Sequence, residues 1–487
     1  MTTSLIPAFL PELVLCAGAL GLFVLCLGMG RVRAGAWVLL ATGLLGVVAG
    51  GLTWGGEAML FDGAYRVDGF SQSLKLILCL VLVALVLVSG ELRDVREDIR
   101  GEYWFLLAAS ALGFVLVVSC MDILALVVSL ELGSFPLYLA VATRRERAGQ
   151  RSQMESAIKY VMFGVAANAI MLFGLGYLYG LTGTTSLPVM AARLRPLAET
   201  PLALAGIGLA LAGLFYKLAV LPFQFWTPDV YEGASHETAG VIASLPKLGA
   251  VAVMVRWMSL AAPEGRTLPL LLGVLAAGSM FYGNLIALVQ RDFKRLLGFS
   301  GIAHAGYALL GFVALDQAGA AAAVFYMTSY ALMVLACFTV ISRVSEDGRN
   351  VGIESLAGLH RRSPLLAATL LVGAFGLAGV PPFAGFMGKL ALFTAAFDRG
   401  HGWLVVVAVI NAAIAIYYYL GVVRAAFFGD PGDQPSIRLT PSTKVVCGGL
   451  IVGIVLLGVM PGRVLDGLTA VMSTTGMPAV AARGAGS

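Results

Sequence analysis

The sequence predicts an all-α polytopic membrane protein of about fourteen transmembrane helices, two of them broken. Three observations carry this. Of the 487 residues, 59% are apolar and only 12% charged, where a soluble domain carries about a quarter charged residues. The apolar residues fall into runs of the ~20 residues that a helix needs to cross a bilayer. Two runs hold prolines in mid-membrane, where broken backbone is tolerated only against protein or a wet cavity. The 60 glycines suit helices that pack closely in lipid.

Read in order, the spans fall near 8–29, 36–54, 73–90, 103–119, 122–142, 155–180 and 203–228, then 236–258, 268–289, 295–314, 320–342, 364–397, 403–428 and 443–461. The whole chain, 1–487, reads as one transmembrane domain. The first run has no basic leader and is followed by Arg31 and Arg33, which points to an uncleaved first helix with an external N-terminus. The seventh run is interrupted by Pro222. The twelfth is too long for one straight helix and holds Gly379-Val380-Pro381-Pro382, so it reads as two half-helices.

Orientation follows from the basic residues. Of the 32 Lys and Arg, 19 fall in loops on one side, 8 on the other, and Lys75, Lys159, Lys217, Lys247 and Lys389 lie within spans. The positive-inside rule then places both termini on the outer, periplasmic face of a cell inner (plasma) membrane. Lys75 and Lys159 sit near helix ends, where a long side chain snorkels to the interface. The net charge of +5 is spread over loops, not gathered into a patch for nucleic acid. Six cysteines, none in a C-x-x-C pair, read as packing residues, not as cluster ligands or disulfides. A faint internal echo links Ala157-Ile-Lys-Tyr160 to Ala323-Val-Phe-Tyr326, and the two broken spans lie five helices apart. An odd offset inverts the second copy.

Charges in the spans single out the chemistry. A Lys or Asp at the bilayer centre costs about 2.5–3.5 kcal/mol on insertion scales. Glu131 nonetheless sits in mid-fifth span, Lys217 one turn before the Pro222 break, Lys247 directly after Pro246, Lys389 two turns beyond Pro381-Pro382, and His304 inside the tenth span. Burial disfavours an ammonium and a nearby carboxylate favours it. Changing the pairing of Glu131 with Lys217 therefore loads or unloads a proton, and His304 is the natural relay between lysines. The bland alternative is a static Glu131–Lys217 ion pair with His304 as a hydrogen-bonded core residue. A static scaffold has no need of three deep lysines on three helices, two of them broken.

The string Leu221-Pro-Phe-Gln-Phe-Trp-Thr-Pro-Asp-Val-Tyr-Glu-Gly-Ala234 resembles the signature of the N subunits of proton-translocating NADH:quinone oxidoreductase (respiratory complex I). Those subunits belong to the antiporter-like family. Arg291-Asp-Phe-Lys-Arg-Leu-Leu-Gly-Phe-Ser-Gly-Ile-Ala-His-Ala-Gly-Tyr307 and Gly379-Val-Pro-Pro-Phe-Ala-Gly-Phe386 are similar to the family's other marks. The Val-Tyr-Glu-Gly continuation and the short tail after the fourteenth span resemble the N subunits more than their two larger sisters.

The resemblance implies two inverted five-helix repeats, near 102–258 and 268–428, each forming a half-channel. It implies proton translocation by Glu131, Lys217, Lys247, His304 and Lys389, coupled to electron transfer in partner membrane and peripheral subunits. NADH, FMN, iron–sulfur clusters and quinone belong to those partners, and no redox centre is expected in this chain. Two departures stand out. Gln224 replaces a histidine common in the family, and Ser235-His-Glu-Thr replaces a Pro-rich stretch. His236 and Glu237 read as an N-terminal cap and first-turn charge; Asp229 and Glu232 read as orienting the loop at the inside surface. The competing functions are a subunit of a stand-alone cation/proton antiporter or membrane-bound hydrogenase, and an inert scaffold.

Overall fold

The computed structural model describes residues 5–27, 32–90, 92–149, 151–262, 264–432 and 434–475. Arg31, one of the basic residues that set the predicted orientation, lies outside them. Thirteen described helices are long and apolar enough to cross a membrane. The twelfth expected span is present as two shorter helices, Pro364–Ala378 and Ala384–Asp398. Span numbers below count these in chain order.

Seven spans start where a side chain satisfies the first free N–H groups. Asp68, Asp122, Ser152, Ser235, Asp292, Asp316 and Thr440 each cap the helix that follows. Burial then sorts the spans. Every residue of the eighth, His236–Trp257, is buried, and the best 18-residue window of the tenth, Phe293–Val313, is 100% buried. The first, sixth, thirteenth and fourteenth reach only 33% and form the rim. A helix apolar on every side yet wholly enclosed has protein, not lipid, as its solvent.

Close approach is made by small residues. A Cβ on Gly113 of the fourth span would overlap the Gly133 backbone of the fifth, Ile123–Ala142. One on Gly283 of the ninth span would press on the Phe299 carbonyl and the Ala303 amide of the tenth at 2.5 and 2.6 Å. Backbone-to-backbone packing of this kind is what holds membrane helices together without a hydrophobic drive between them.

Both breaks are built alike. The seventh span, Pro201–Leu218, ends when Ala219 turns left-handed at φ +67°; the expected 203–228 is therefore one helix, a loop and a separate short helix, Trp226–Gly233. In the twelfth, Gly379 takes φ +86°. The Val220 N–H then donates to the Phe215 carbonyl at 2.8 Å and the Val380 N–H to Phe375 at 2.9 Å. Phe223 likewise donates to Val220, and Phe383 to Val380, at 2.7 and 3.2 Å. The freed Leu221 N–H finds Ser279 Oγ on the ninth span at 3.0 Å.

The fold adds a small antiparallel hairpin, Ala58–Leu60 with Tyr65–Val67, between the second and third spans. It leads into a staple across the structure. Asp68 receives both terminal nitrogens of Arg256, at the far end of the eighth span, at 2.8 and 2.9 Å.

Lys75 corrects its predicted role. It does not snorkel: it is fully buried and pairs with Glu12 of the first span at 2.6 Å. Tyr65 Oη donates to the same carboxylate at 2.5 Å. The counter-charge comes to the lysine, so the lysine need not reach water. Lys159 does stay near the surface, bound to Asp229 at 2.8 Å and Glu155 at 2.7 Å.

Glu12→Ala should leave the Lys75 ammonium buried and unpaired, a loss of about 3–5 kcal/mol. The expected result is a clearly lower melting temperature of the purified protein in detergent. Glu12→Leu combined with Lys75→Leu should recover most of it, because an apolar pair of similar volume removes both buried charges.

Candidate functional site

The deep charged residues form two groups. The first lies between the fifth, sixth and seventh spans. Lys217, in the last turn before the break, donates to Ser134 Oγ at 2.5 Å. Ser134 sends its own proton to the Leu130 carbonyl at 2.7 Å, so it can only accept from the lysine. Glu131, one turn before Ser134 on the fifth span, accepts from Asn168 Nδ2 of the sixth at 2.5 Å. Glu131 and Lys217 are not joined in an ion pair; each holds a neutral partner instead.

The second group is continuous across four spans. Lys247 donates to the Gly301 carbonyl of the tenth span at 2.9 Å and lies 5.0 Å above the Tyr330 ring of the eleventh. The Tyr330 ring stands 4.9 Å from the His304 ring. His304 Nδ1 is 2.6 Å from Tyr326 Oη, and Nε2 is 3.4 Å from Tyr419 Oη. The His304 ring is 6.2 Å from Tyr307, whose face receives Lys389 Nζ at 4.7 Å. Thus His304 lies between the aromatic partners of Lys247 and Lys389.

Lys389 shows how the break makes a site. Its ammonium donates to the Leu377 and Ala378 carbonyls at 3.2 and 2.9 Å. These belong to the last turn of the half-helix before the break, where carbonyls lack helical partners and the dipole is negative. The lysine of one half-helix caps the other.

No hydrogen bond, ion pair or ring contact among the described residues joins Lys217 to Lys247. Gln224, at the position of the family histidine, is buried with Oε1 unpartnered. Sequence reasoning missed Tyr330, Asn168 and Ser134. The signal was present for the tyrosines: Tyr326 and Tyr330 recur at i, i+4 on a largely apolar helix, which reads as core packing until His304 is placed beside them.

Asp229 and Glu232 lie on the short helix after the seventh-span break and clamp it. Asp229 binds Lys159, Arg295 and Arg151 at 2.8, 2.8 and 3.2 Å, and Glu232 binds Arg295 and Arg151 at 2.8 and 3.2 Å. This is the loop-orienting role read from their position.

Broken spans around buried helices, with buried lysines that no carboxylate among the described residues meets within ion-pair distance, fit a membrane protein of the antiporter-like class. The profile of the family described as NADH:quinone oxidoreductase/Mrp antiporter, TM, matches residues 120–415. The NADH-quinone oxidoreductase subunit N 2 of Opitutus terrae is 60% identical over 468 residues, covering 96% of this chain and 98% of that protein. The protein of the same designation from Solidesulfovibrio magneticus is 44% identical over 461 residues, covering 94% and 97%. A chain of respiratory complex I from Thermus thermophilus, solved with bound aureothin, superimposes with a TM-score of 0.81 at 36% identity, covering 94% of this chain and 99% of that one. A chain of the Mrp complex from Dietzia sp. shares the fold, with a TM-score of 0.86 at 21% identity and 98% of each chain covered. The chain belongs to the NADH-quinone oxidoreductase subunit N family.

The clamp carries a pH prediction. Burial pushes the Asp229 carboxyl up, but the hydrogen bonds from Lys159 and Arg295 and the charge of Arg151 outweigh it and hold it below the usual carboxylate range. A depressed carboxyl stabilises fully above its unfolded pKa, about 3.9 for Asp, and loses that contribution as pH falls through the lower folded value. Hydrogen–deuterium exchange, corrected for intrinsic rates, should therefore show the 226–233 helix protected from neutrality down to about pH 4. Asp229→Asn should lower that protection already at neutral pH.

Proposed function

We propose that this chain is a membrane-arm, antiporter-like subunit of an NADH:quinone oxidoreductase, and that it translocates protons while partner subunits carry electrons from NADH to quinone. FMN and the iron–sulfur clusters belong to those partners. The observation that carries the reading is the way the three deep lysines are held. Lys217, Lys247 and Lys389 bind a hydroxyl, a helix carbonyl and two break carbonyls. None has a carboxylate within ion-pair distance among the described residues, whereas Lys75 and Lys159 do.

That difference separates working lysines from structural ones. A buried ion pair locks both charges, since removing either leaves the other uncompensated. A neutral dipole supports an ammonium while present, yet loses little when the amine is neutral. Modest changes in the surroundings can then tip each lysine between its two states. Glu131, hydrogen-bonded to Asn168 one turn from Ser134, sets the field at Lys217; its approach favours the ammonium and its retreat the amine. His304, with one nitrogen on Tyr326 and the other toward Tyr419, passes protons between Lys247 and Lys389.

The matching breaks in the seventh and twelfth spans support two inverted repeats, 102–258 and 268–428, that share one device. The charge bias supports both termini on the outer face of the cell membrane. The 60% identity to a subunit N, against 21% to the Mrp chain, favours the oxidoreductase over a stand-alone antiporter.

Lys217→Ala and Lys247→Ala should each lower NADH-driven proton pumping by at least about tenfold, with coupled quinone reduction falling alongside. The complex should still assemble. Vesicle acidification at the unaltered rate in both variants would sink the assignment.

A further inference from the structure

The eighth span opens with two titratable side chains that the function above leaves unused. Its cap is Ser235, whose Oγ accepts from the Thr238 N–H at 3.1 Å. His236 is thus not the cap, and Glu237, which does stand in the first turn, is not solvated: the two are 3% and 5% exposed. His236 Nε2 lies 3.0 Å from Ser345 Oγ of the loop after the eleventh span. That hydroxyl donates its single proton to the Arg349 carbonyl at 2.6 Å, so toward the ring it can only accept. The neutral ring therefore carries its proton on Nε2 and presents Nδ1 as a bare acceptor. Among the described residues nothing partners the buried Nδ1, nor the buried Oε2 of Glu237. Buried polar atoms are paired as a rule; here two adjacent proton acceptors each keep one atom free.

Their surroundings are densely charged, with cations in excess. Asp94 Oδ2 is 4.0 Å from His236 Nε2, and Asp94 is itself bound by Arg144 and Arg147 at 3.0 and 2.5 Å. Lys294, fully buried, donates to the Ala234 carbonyl at 2.8 Å. Lys294, Arg144 and Arg147 face His236, while Asp94 and Arg343 face Glu237. All of this lies at the end of the eighth span that the charge bias assigns to the inside.

We infer that His236 and Glu237 form the site through which protons from the inner face enter this subunit on their way to Lys247, an inference that rests on the proton-translocating reading above. The transfer needs no co-reactant: a proton leaves bulk water, binds Nδ1 of His236 or Oε2 of Glu237, and ends on the Lys247 amine. Ten residues of one helix separate Glu237 from Lys247, a rise of about 15 Å, so the route needs intermediate groups. Two stand beside its end. A Cβ built on Gly301 would lie 3.0 Å from Tyr330 Oη, 3.1 Å from Lys247 Nζ and 4.0 Å from Tyr231 Oη, so the three border one small space. Both hydroxyls are buried and unpartnered. Tyr231 lies on the short helix just before His236, so the last relay group and the uptake site are joined by one turn of chain.

The test uses the assembled complex in proteoliposomes. Glu237→Gln and His236→Gln should each cut NADH-driven pumping at least about tenfold, with subunit composition and NADH oxidation by a soluble electron acceptor unchanged. Small permeant weak acids such as azide should restore the coupled rate, which they cannot do for a packing defect. Loss of pumping without such rescue would overturn the uptake site, and so would unaltered pumping in both variants while Lys247→Ala blocks it. Unaltered pumping in Lys247→Ala as well would instead overturn the translocating reading. Where the Gln variants do not assemble, Glu237→Asp decides: its pumping should peak at lower inner-side pH, because Asp is the stronger acid by roughly 0.4 pH units, and an unmoved profile would overturn the proposal.

Discussion

Inside a bilayer, backbone that leaves the helical ladder has no water to satisfy it, so protein must. That constraint organises this molecule. At the seventh-span break the Leu221 N–H goes to Ser279, and Trp226 Nε1 donates to the Tyr216 carbonyl at 3.2 Å. At the twelfth the Leu377 and Ala378 carbonyls go to Lys389. Such partners exist only where neighbouring helices surround the break. The wholly buried eighth and tenth spans, and the glycine contacts that bring their neighbours close, thus serve the same end as the lysines. The break creates free carbonyls, the carbonyls hold an ammonium, and the enclosure keeps lipid from both.

The same economy explains why five intramembrane lysines divide into two kinds. Lys75 and Lys159 meet carboxylates and join elements distant in sequence: the first span to the third, and the sixth to the short helix after the seventh-span break. Lys217, Lys247 and Lys389 meet dipoles. An ion pair fixes a charge state, whereas a dipole permits two. Position in the sequence already set Lys75 and Lys159 apart, but it could not show how Lys75 is held, because its partner Glu12 comes from the first span. Only the packed structure shows that Lys75 is sealed.

Periodic and compositional features were legible in the sequence: the spans, the breaks, and the placement of Glu131, Lys217, Lys247, His304 and Lys389 within spans. Each follows from runs of apolar residues and from residue types that lipid rejects. Contact chemistry was less legible. The expected Glu131–Lys217 pair is resolved into two separate hydrogen bonds, Lys217 to Ser134 and Asn168 to Glu131, whose partners look in the sequence like small polar residues in a helix. The seventh span ends early because Ala219 adopts a left-handed backbone that its residue type does not announce. The hairpin at Ala58–Leu60 is too short to leave a period-two pattern. His236 and Glu237 carry the composition of a helix start, and only the packed structure shows that both are buried.

No contact among the described residues joins the Lys217 group to the Lys247 group, so influence between them would be electrostatic and fall off with separation. Within the second group the coupling is closer, since the rings of Tyr330, His304 and Tyr307 connect Lys247 to Lys389 by successive contacts. A proton arriving at one end changes the cost of holding one at the other. In the proposed mechanism that change passes between Lys247 and Lys389 because both rest on neutral dipoles, with no carboxylate among the described residues within ion-pair distance of either.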